Sequence, residues 1–541
     1  MTSPARTRID ELRWENRFVQ SFPGDRETRN FTRQVKGILY SEVAPTPVNA
    51  PALVGWSDAL AEELGIVRPE SGPSLEILAG NRVAPGQRPY ASRYGGHQFG
   101  HWAGQLGDGR AITLGEAVFH AARKREFQLK GAGPTPYSRT ADGRAVMRSS
   151  LREFLCSEAM HHLGIPTTRA LSLVATGEPV VRDMFYDGRP RPEPGAVVCR
   201  VAPTFLRFGH FEILAASGEI ELLRSLVRFA IEEHFPDIDP ASPDATGLFL
   251  DAVAVRTARL MAHWMRVGFV HGVMNTDNMS IVGDTIDYGP YGWLESYDPG
   301  WTPNTTDAKG RRYRYGGQPN VALWNLACLG QALMPLLTGE DRARASLESF
   351  QRAFGEAWDD ALASKLGFAR LRSGDDDTGA GDDDTLVREL LGLLPEVEVD
   401  FTNFFRALCD WPAESTRNTE DASKAFDRLL AQTFYVDTLP DAARSAWLSW
   451  LLRYSARARE EAPSDADRAK AMKRVNPRFV PRNFLAQEAI VAAEKGDAKP
   501  LERLVRVLSR PYDDQPEDDL ARNRPEWARS APGCSALSCS S

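Results

Sequence analysis

The chain has 541 residues, long enough for three or four domains or for one large core with insertions. Hydrophobic residues make up 42% and charged residues 26%, ordinary globular usage that excludes an intrinsically disordered chain. With 65 Lys plus Arg against 73 Asp plus Glu, the net charge of −8 argues against a broad basic surface for nucleic acid or anionic lipid, and leaves room for a local basic pocket.

The first 25 residues hold no apolar stretch of signal-peptide length, and Asp10, Glu11 and Glu15 do not suit a mitochondrial transit peptide. Nowhere does an apolar run approach the roughly 18 residues of a membrane span, so a cytoplasmic protein without membrane contact is expected. Up to about residue 215 the sequence is punctuated by glycine, with short β-like runs at 110–113, 127–130 and 196–201. One helix interrupts them. Ser150-Leu151-Arg152-Glu153 has the form of a capping box, apolar residues follow at Phe154, Leu155 and Leu163, and Gly164 and Pro166 close the segment. From about 216 the texture is mostly helical, as in 248–267, which Gly268 stops. An α+β chain follows, with a smaller mixed N-terminal lobe and a larger helical C-terminal lobe. The aspartate-rich stretch 373–385 reads as a solvated loop, since it lacks the closing glutamate of a calcium-binding loop.

The segment 94–116, YGGHQFGHWAGQLGDGRAITLGE, is rich enough in glycine for backbone amides to approach a phosphate chain. It has neither the G-K-[ST] ending of a P-loop nor a GxGxxG fingerprint. His97 and His101 have the spacing of zinc ligands on a helix, but Gly95, Gly96 and Gly100 oppose a helix and no HExxH glutamate is present. Lys130 ends a short strand and Glu153 lies on the following helix. Strand lysine and helix glutamate pair in this way over nucleotide phosphates in kinase folds. Glu153 also completes the capping box, so both roles stay open.

The segment 271–289, HGVMNTDNMSIVGDTIDYG, carries the densest chemistry. Its β-compatible runs 279–282 and 285–287 flank Gly283-Asp284 as a hairpin would. Pairing Val282 with Thr285 sets Ser280 against Asp287 and leaves Asn278 diagonally across the same face, about 7 to 8 Å away. Asn278 and Asp287 then offer two oxygen ligands that suit Mg²⁺. Asp277 beside them is a candidate base, a weak one at the ordinary aspartate pKa of about 3.9. The competing reading is a polar turn with local side-chain hydrogen bonds. In protein kinases this place is filled by H-R-D-L-x-x-x-N followed by D-F-G. Here Asn278 and Asp287-Tyr288-Gly289 supply the metal-binding half, while Val273 stands where the kinase base would be. A dead kinase, or nucleotide chemistry in another orientation, fits that pattern.

The motifs YGGHQFGHWAGQLGDGRA, QLKGAGPTPYSR, RVAPTFLRFGHFE and HGVMNTDNMSIVGDTIDYGPYGW closely resemble the selenoprotein O family of YdiU-like proteins, from about Phe31 to the last residue. The resemblance implies a protein-kinase-like pseudokinase fold, divided as an N-terminal extension (1–30), an N-lobe with the glycine-rich loop (31–215), a helical C-lobe with the metal site (216–510) and a tail (511–541). It implies an adenylyltransferase that moves AMP from ATP to Ser, Thr or Tyr hydroxyls of protein substrates, with ATP inverted relative to a kinase and Mg²⁺ or Mn²⁺ as cofactor. Nucleotide contacts are implied at Gly107, Gly109, Arg110, Lys130, Asp142, Gly143, Arg200, Arg207 and Asp287. Asp277 is implied as proton acceptor, Asn278 and Asp287 as metal ligands, and Glu153 as partner of Lys130. UTP as donor, a protein uridylyltransferase, and a silent nucleotide-binding scaffold are the alternatives; the oligomeric state is left open.

Six cysteines, Cys156, Cys199, Cys328, Cys409, Cys534 and Cys539, are sparse for this length and lack CxxC pairing, which points to neither a disulfide scaffold nor a structural metal. Family members carry selenocysteine or cysteine third from the end, where this chain has Cys539, and the resemblance implies a redox role for it. Trp301-Thr302-Pro303-Asn304 contains no cysteine, so no disulfide joins the tail to that loop; Cys534 is a nearby alternative partner.

Overall fold

The computed structural model describes residues 6–119, 123–184, 187–372, 383–461 and 464–538. Short apolar-rich runs between glycines and prolines in the N-terminal part form strands, several of them buried along most of their length. They are β1 (Tyr40–Glu42), β2 (Ala52–Trp56), β3 (Tyr90–Ser92), β4 (Gly95–Gln98), β5 (His101–Gln105), β6 (Ala111–Val118), β7 (Lys124–Lys130), β8 (Arg169–Arg182) and β9 (Arg191–Ala202). Seven build the main path of one antiparallel sheet in the order β1-β3-β6-β7-β9-β8-β2, and β4 with β5 forms a separate hairpin. The α+β class with a sheet-rich N-terminal part and a helical C-terminal part is the one observed.

Strand alternation decides which residues reach the site. Successive side chains face opposite sides of a sheet. On β7, Phe127 and Leu129 enter one core together with Cys199 and Val201 of β9. Gln128 and Lys130 therefore face the other side, where helix α1 (Met147–His162) crosses the sheet. Leu151, Phe154 and Leu155 of α1 pack there against Ala170, Leu173 and Val198. Two helices from the far end of the chain, Asn483–Ala493 and Lys499–Leu508, cover α1 from outside through Ala486, Ile490 and Leu504.

The capping-box expectation for α1 is corrected. The helix starts at Met147 with Val146 as a cap that makes no side-chain hydrogen bond, so Ser150 lies inside the first turn and Glu153 in the second. The residues before Ser150 continue the helix because Met147 is itself a core side chain, 2% exposed and packed with Leu151. Freed from capping, Glu153 faces Lys130.

The helical part is organised on α2 (Phe208–Ala216), α3 (Ala245–Val267), α4 (Gln318–Leu333) and α5 (Glu340–Leu366). Helix α3 ends where expected, at Gly268, whose φ of +76° lets its N–H turn back to the carbonyls of Trp264 and Met265. No described helix is long and apolar enough to cross a membrane. Residues 373–382 of the aspartate-rich stretch lie outside the described residues. Asp383 at its end is not solvated as expected: it is buried, starts the helix Asp383–Leu393 and binds Arg457 at 2.9 Å.

Burial on β7 has a measurable consequence away from the cleft. Glu126 is enclosed, accepts a hydrogen bond from the Phe205 amide at 3.2 Å, and is pushed up to about 8 by burial and by Glu116. The folded chain therefore keeps a proton that the unfolded chain releases above the ordinary glutamate value. This contribution is fully present below that value and is lost as pH rises through about 8. Glu126→Gln is expected to raise the melting temperature at about pH 9 and to leave it nearly unchanged at about pH 4, read by scanning fluorimetry.

Candidate active site

A cleft of about 720 Å³ lies beside β6, β7 and the segment after α3. Gly107, Gly109, Arg110, Lys130, Asp142, Gly143, Arg200, Asp277, Asn278 and Asp287 all line it, so residues spread over 180 positions of sequence meet in one space. Arg207 does not line the cleft. It lies behind Asp287, 1% exposed, with its guanidinium over the Tyr94 ring at 4.7 Å.

One end of the cleft is a cluster of charge. Lys130 Nζ meets Glu153 Oε2 at 2.7 Å and Asp287 Oδ1 at 3.3 Å. Arg200 donates to Glu153 Oε1 at 3.0 Å, to Asp287 and to the side-chain Oε1 of Gln128. Arg207 donates to Asp287 Oδ2 at 2.6 Å and to the Asp277 carbonyl at 2.9 Å. Three cations thus share two carboxylates. Burial alone would raise Asp287, but Arg207, Lys130 and Arg200 together hold its carboxyl well below the usual range. Burial lowers Lys130 despite Glu153 and Asp287. Asp287 also has a left-handed backbone, φ +56°, a conformation that L-residues keep mostly where the surroundings impose it.

The hairpin expected at 279–287 is absent. Residues 276–278 form a single 3-10 turn, and the two flanking runs pair with other parts of the chain. Ser280 bridges Arg207, with Met279 accepting from the Phe208 amide at 3.0 Å; Thr285 bridges Thr167, with its carbonyl accepting from the Thr168 amide at 3.0 Å. Backbone groups that a hairpin would have joined to each other are claimed by 206–208 and 166–168. Asn278 and Asp287 still reach the same cleft. Asn278 Nδ2 donates to the Val273 carbonyl at 2.9 Å, which leaves Oδ1 as the atom able to bind a cation. Val273, at the place of a kinase base, contributes this carbonyl and an apolar side chain.

Asp277 differs from its sequence reading in strength. It is 8% exposed, and burial pushes its carboxyl up to about 7 against the pull of Arg207. Oδ2 accepts from Gln98 Nε2 at 3.3 Å, whereas Oδ1 is buried without a hydrogen-bond partner. The carbonyl and carboxylate oxygens of Asn278, Asp287 and Asp277 are hard donors, the set that Mg²⁺ or Mn²⁺ prefers.

Glycine backbone forms another part of the lining. Gly107 has φ +88°, and a Cβ there would stand 2.5 Å from Tyr137 Cγ and 2.9 Å from the Ser92 carbonyl. At Gly143, φ +67°, a Cβ would stand 2.1 Å from the Gly133 carbonyl oxygen. Beside it Asp142 is held by Arg182, which donates to both carboxylate oxygens at 2.6 and 2.8 Å. Gly143→Ala is therefore expected to displace the 133–143 loop, at a cost of about 1–3 kcal/mol, and to weaken ATP binding in calorimetry.

Sequence reading missed Gln98, Gln128, Tyr137 and Arg182. Gln98 stands inside the quoted glycine-rich motif, but its role depends on β4 passing over Asp277: a Cβ on Gly96 would lie 2.7 Å from Asp277 Oδ1. The histidine pair is also resolved. His97 and His101 stand on facing strands of the β4–β5 hairpin, paired with Trp102 and Gln98 respectively, and His101 is exposed. They do not form a joint metal site. Cys539 lies outside the described residues. Cys534 is buried and burial pushes its thiol up to about 11, while Leu537 exchanges backbone hydrogen bonds with Pro303 and Thr305 at 2.9 and 2.8 Å. The tail thus reaches the 301–304 loop without a cysteine in it.

The sequence model described as "Protein adenylyltransferase SelO" matches residues 28–509. Proteins named "Protein nucleotidyltransferase YdiU" are similar along their length: 55% identity for that of Nitrosospira multiformis, covering 98% of this chain and 97% of the relative. The Azoarcus sp. relative is 54% identical over 98% and 99% of the two chains, and that of Xanthomonas campestris 53% over 98% and 100%. Among solved structures, ROP2 from Toxoplasma gondii, described as a virulence factor with a protein-kinase fold and no enzymatic activity, matches 57% of this chain and 83% of its own at 14% identity and a TM-score of 0.23. The chain belongs to the protein adenylyltransferase SelO family, and with it to the nucleotidyltransferases.

Proposed function

We propose that this chain transfers AMP from ATP to Ser, Thr or Tyr hydroxyls of protein substrates, with Asp277 as proton acceptor. The observation that carries the reading is the buried, partner-free Oδ1 of Asp277, which lines one cleft with Asp287, Lys130 and Arg200. The acceptor oxygen forms its new bond to the α-phosphorus as the bond from that phosphorus to the bridging oxygen breaks. The hydroxyl proton goes to Asp277, and pyrophosphate carries away the negative charge. Lys130 and Arg200 supply cations for the leaving pyrophosphate, Arg200 through a planar fork that matches phosphate oxygens, while Arg207 holds Asp287 from behind. Gly107, Gly109 and Gly143 keep the backbone wall open to the nucleotide, with Arg110 and Asp142 at its rim. Asn278 and Asp287 would hold Mg²⁺ or Mn²⁺, which when bound neutralises phosphate charge. Glu153 positions Lys130 and Arg200.

Intact-mass spectrometry of the protein and an added acceptor after incubation with ATP tests this. Addition of one or more AMP groups with pyrophosphate release supports the reading. Addition of phosphate with ADP release contradicts it, and UMP addition from UTP in preference to ATP reassigns the donor.

A further inference from the structure

We infer that His97, Glu212 and Cys328 form a binding site for a zinc-class divalent cation, separate from the transfer centre. The three come from β4, α2 and α4, and their nitrogen, oxygen and sulfur ligand atoms all lie within 4.8 Å of one another. No other cluster of this kind occurs among the described residues. His97 Nδ1 is 3.1 Å from Glu212 Oε1, with the imidazole 26% exposed and the carboxylate 3% exposed, so the cluster is anchored inside and reachable from solvent. Trp102 and Trp324 enclose the imidazole, with ring centroids at 5.1 and 5.4 Å.

The donor set selects the ion. One imidazole, one carboxylate and one thiolate match tetrahedral zinc with water in the fourth position, whereas Mg²⁺ and Mn²⁺ prefer oxygen alone. The Cys328 thiol gives its proton to solvent as the sulfur–metal bond forms. With neutral His97, the charges of Glu212 and the thiolate then cancel that of a divalent ion. Arg312, stacked over Trp324 at 4.5 Å, faces a neutral complex.

The position gives the site a consequence for the catalytic segment. Glu212 Oε2 accepts from Thr276 Oγ1 at 2.5 Å, and Thr276 Oγ1 accepts from the His97 amide at 2.7 Å. Thr276 precedes Asp277. A metal held by His97 and Glu212 therefore clamps the β4–β5 hairpin and the 276–278 turn to α2 and α4. The inference does not depend on the AMP-transfer reading.

The full-length protein, stripped with chelator, is titrated with Co²⁺ as the probe. One equivalent is expected to produce a sulfur-to-cobalt charge-transfer absorption, which Zn²⁺ then bleaches. The band is expected to vanish in Cys328→Ser and in His97→Ala, and to persist in Cys534→Ser/Cys539→Ser and in Asn278→Ala. Zn²⁺ is also expected to slow alkylation of Cys328, mapped by peptide mass spectrometry, in the parent but not in His97→Ala. A band that survives Cys328→Ser overturns the site, as does alkylation of Cys328 that Zn²⁺ leaves unchanged.

Discussion

Asp277→Ala is expected to lower AMP transfer by about 10²- to 10⁴-fold, the usual contribution of a positioned general base, while ATP affinity stays close to that of the parent. The carboxyl lines the cleft from the 276–278 turn, and its only side-chain hydrogen bond comes from Gln98. Lys130 and Arg200, the cations proposed to face phosphate, are held by Glu153 and Asp287 instead. Stability is expected to hold or improve, because the substitution removes a buried carboxylate oxygen that has no partner. Calorimetric ATP titration beside a transfer assay separates the two effects. Full transfer by the variant would remove Asp277 from the chemistry, and loss of ATP binding would make it a binding residue.

Asp287→Ala is expected to act in the opposite sense on stability. It leaves Lys130, Arg200 and Arg207 with Glu153 as the one remaining carboxylate of the cluster. Breaking a buried ion pair from one side typically costs about 3–5 kcal/mol. The melting temperature should therefore fall, and transfer should be lost with the proposed metal ligand. Pyrophosphate offers the stranded cations a replacement anion, so it is expected to raise the melting temperature of the variant more than that of the parent. Equal shifts in both proteins would show that these cations do not face the phosphates.

What the sequence made legible was local. The stop of α3 at Gly268 needs only a residue that tolerates positive φ after an apolar helical run, and Lys130 at a strand end needs only the period of the strand. Glu153 was ambiguous because a capping box and a salt-bridge partner ask for the same residue type. Burial of Met147, which continues the helix upstream, decides between them. The 279–287 hairpin was misread because its turn chemistry is sound while the competing backbone partners, Arg207 and Thr167, are distant in sequence. Asn278 and Asp287 nonetheless share the cleft, although their flanking segments are held by 206–208 and 166–168 and not by each other. Asp277 was identified as a weak base because a sequence carries no burial, and enclosure is what raises its carboxyl to about 7. For the same reason His97 had no candidate partner except His101, which the glycines around it argue against: Glu212 and Cys328 meet it only through tertiary contact.

The measurement that bears most directly on the account is incorporation of label into the purified protein from ATP labelled either at the α-phosphate or at the γ-phosphate, with metal and with chelator. Metal-dependent incorporation from the α-label alone, lost in Asp277→Ala, is the predicted result. Incorporation from the γ-label would make the chain a kinase that works without a base at Val273, and would contradict the assignment of Asp277 and of the cations around Asp287.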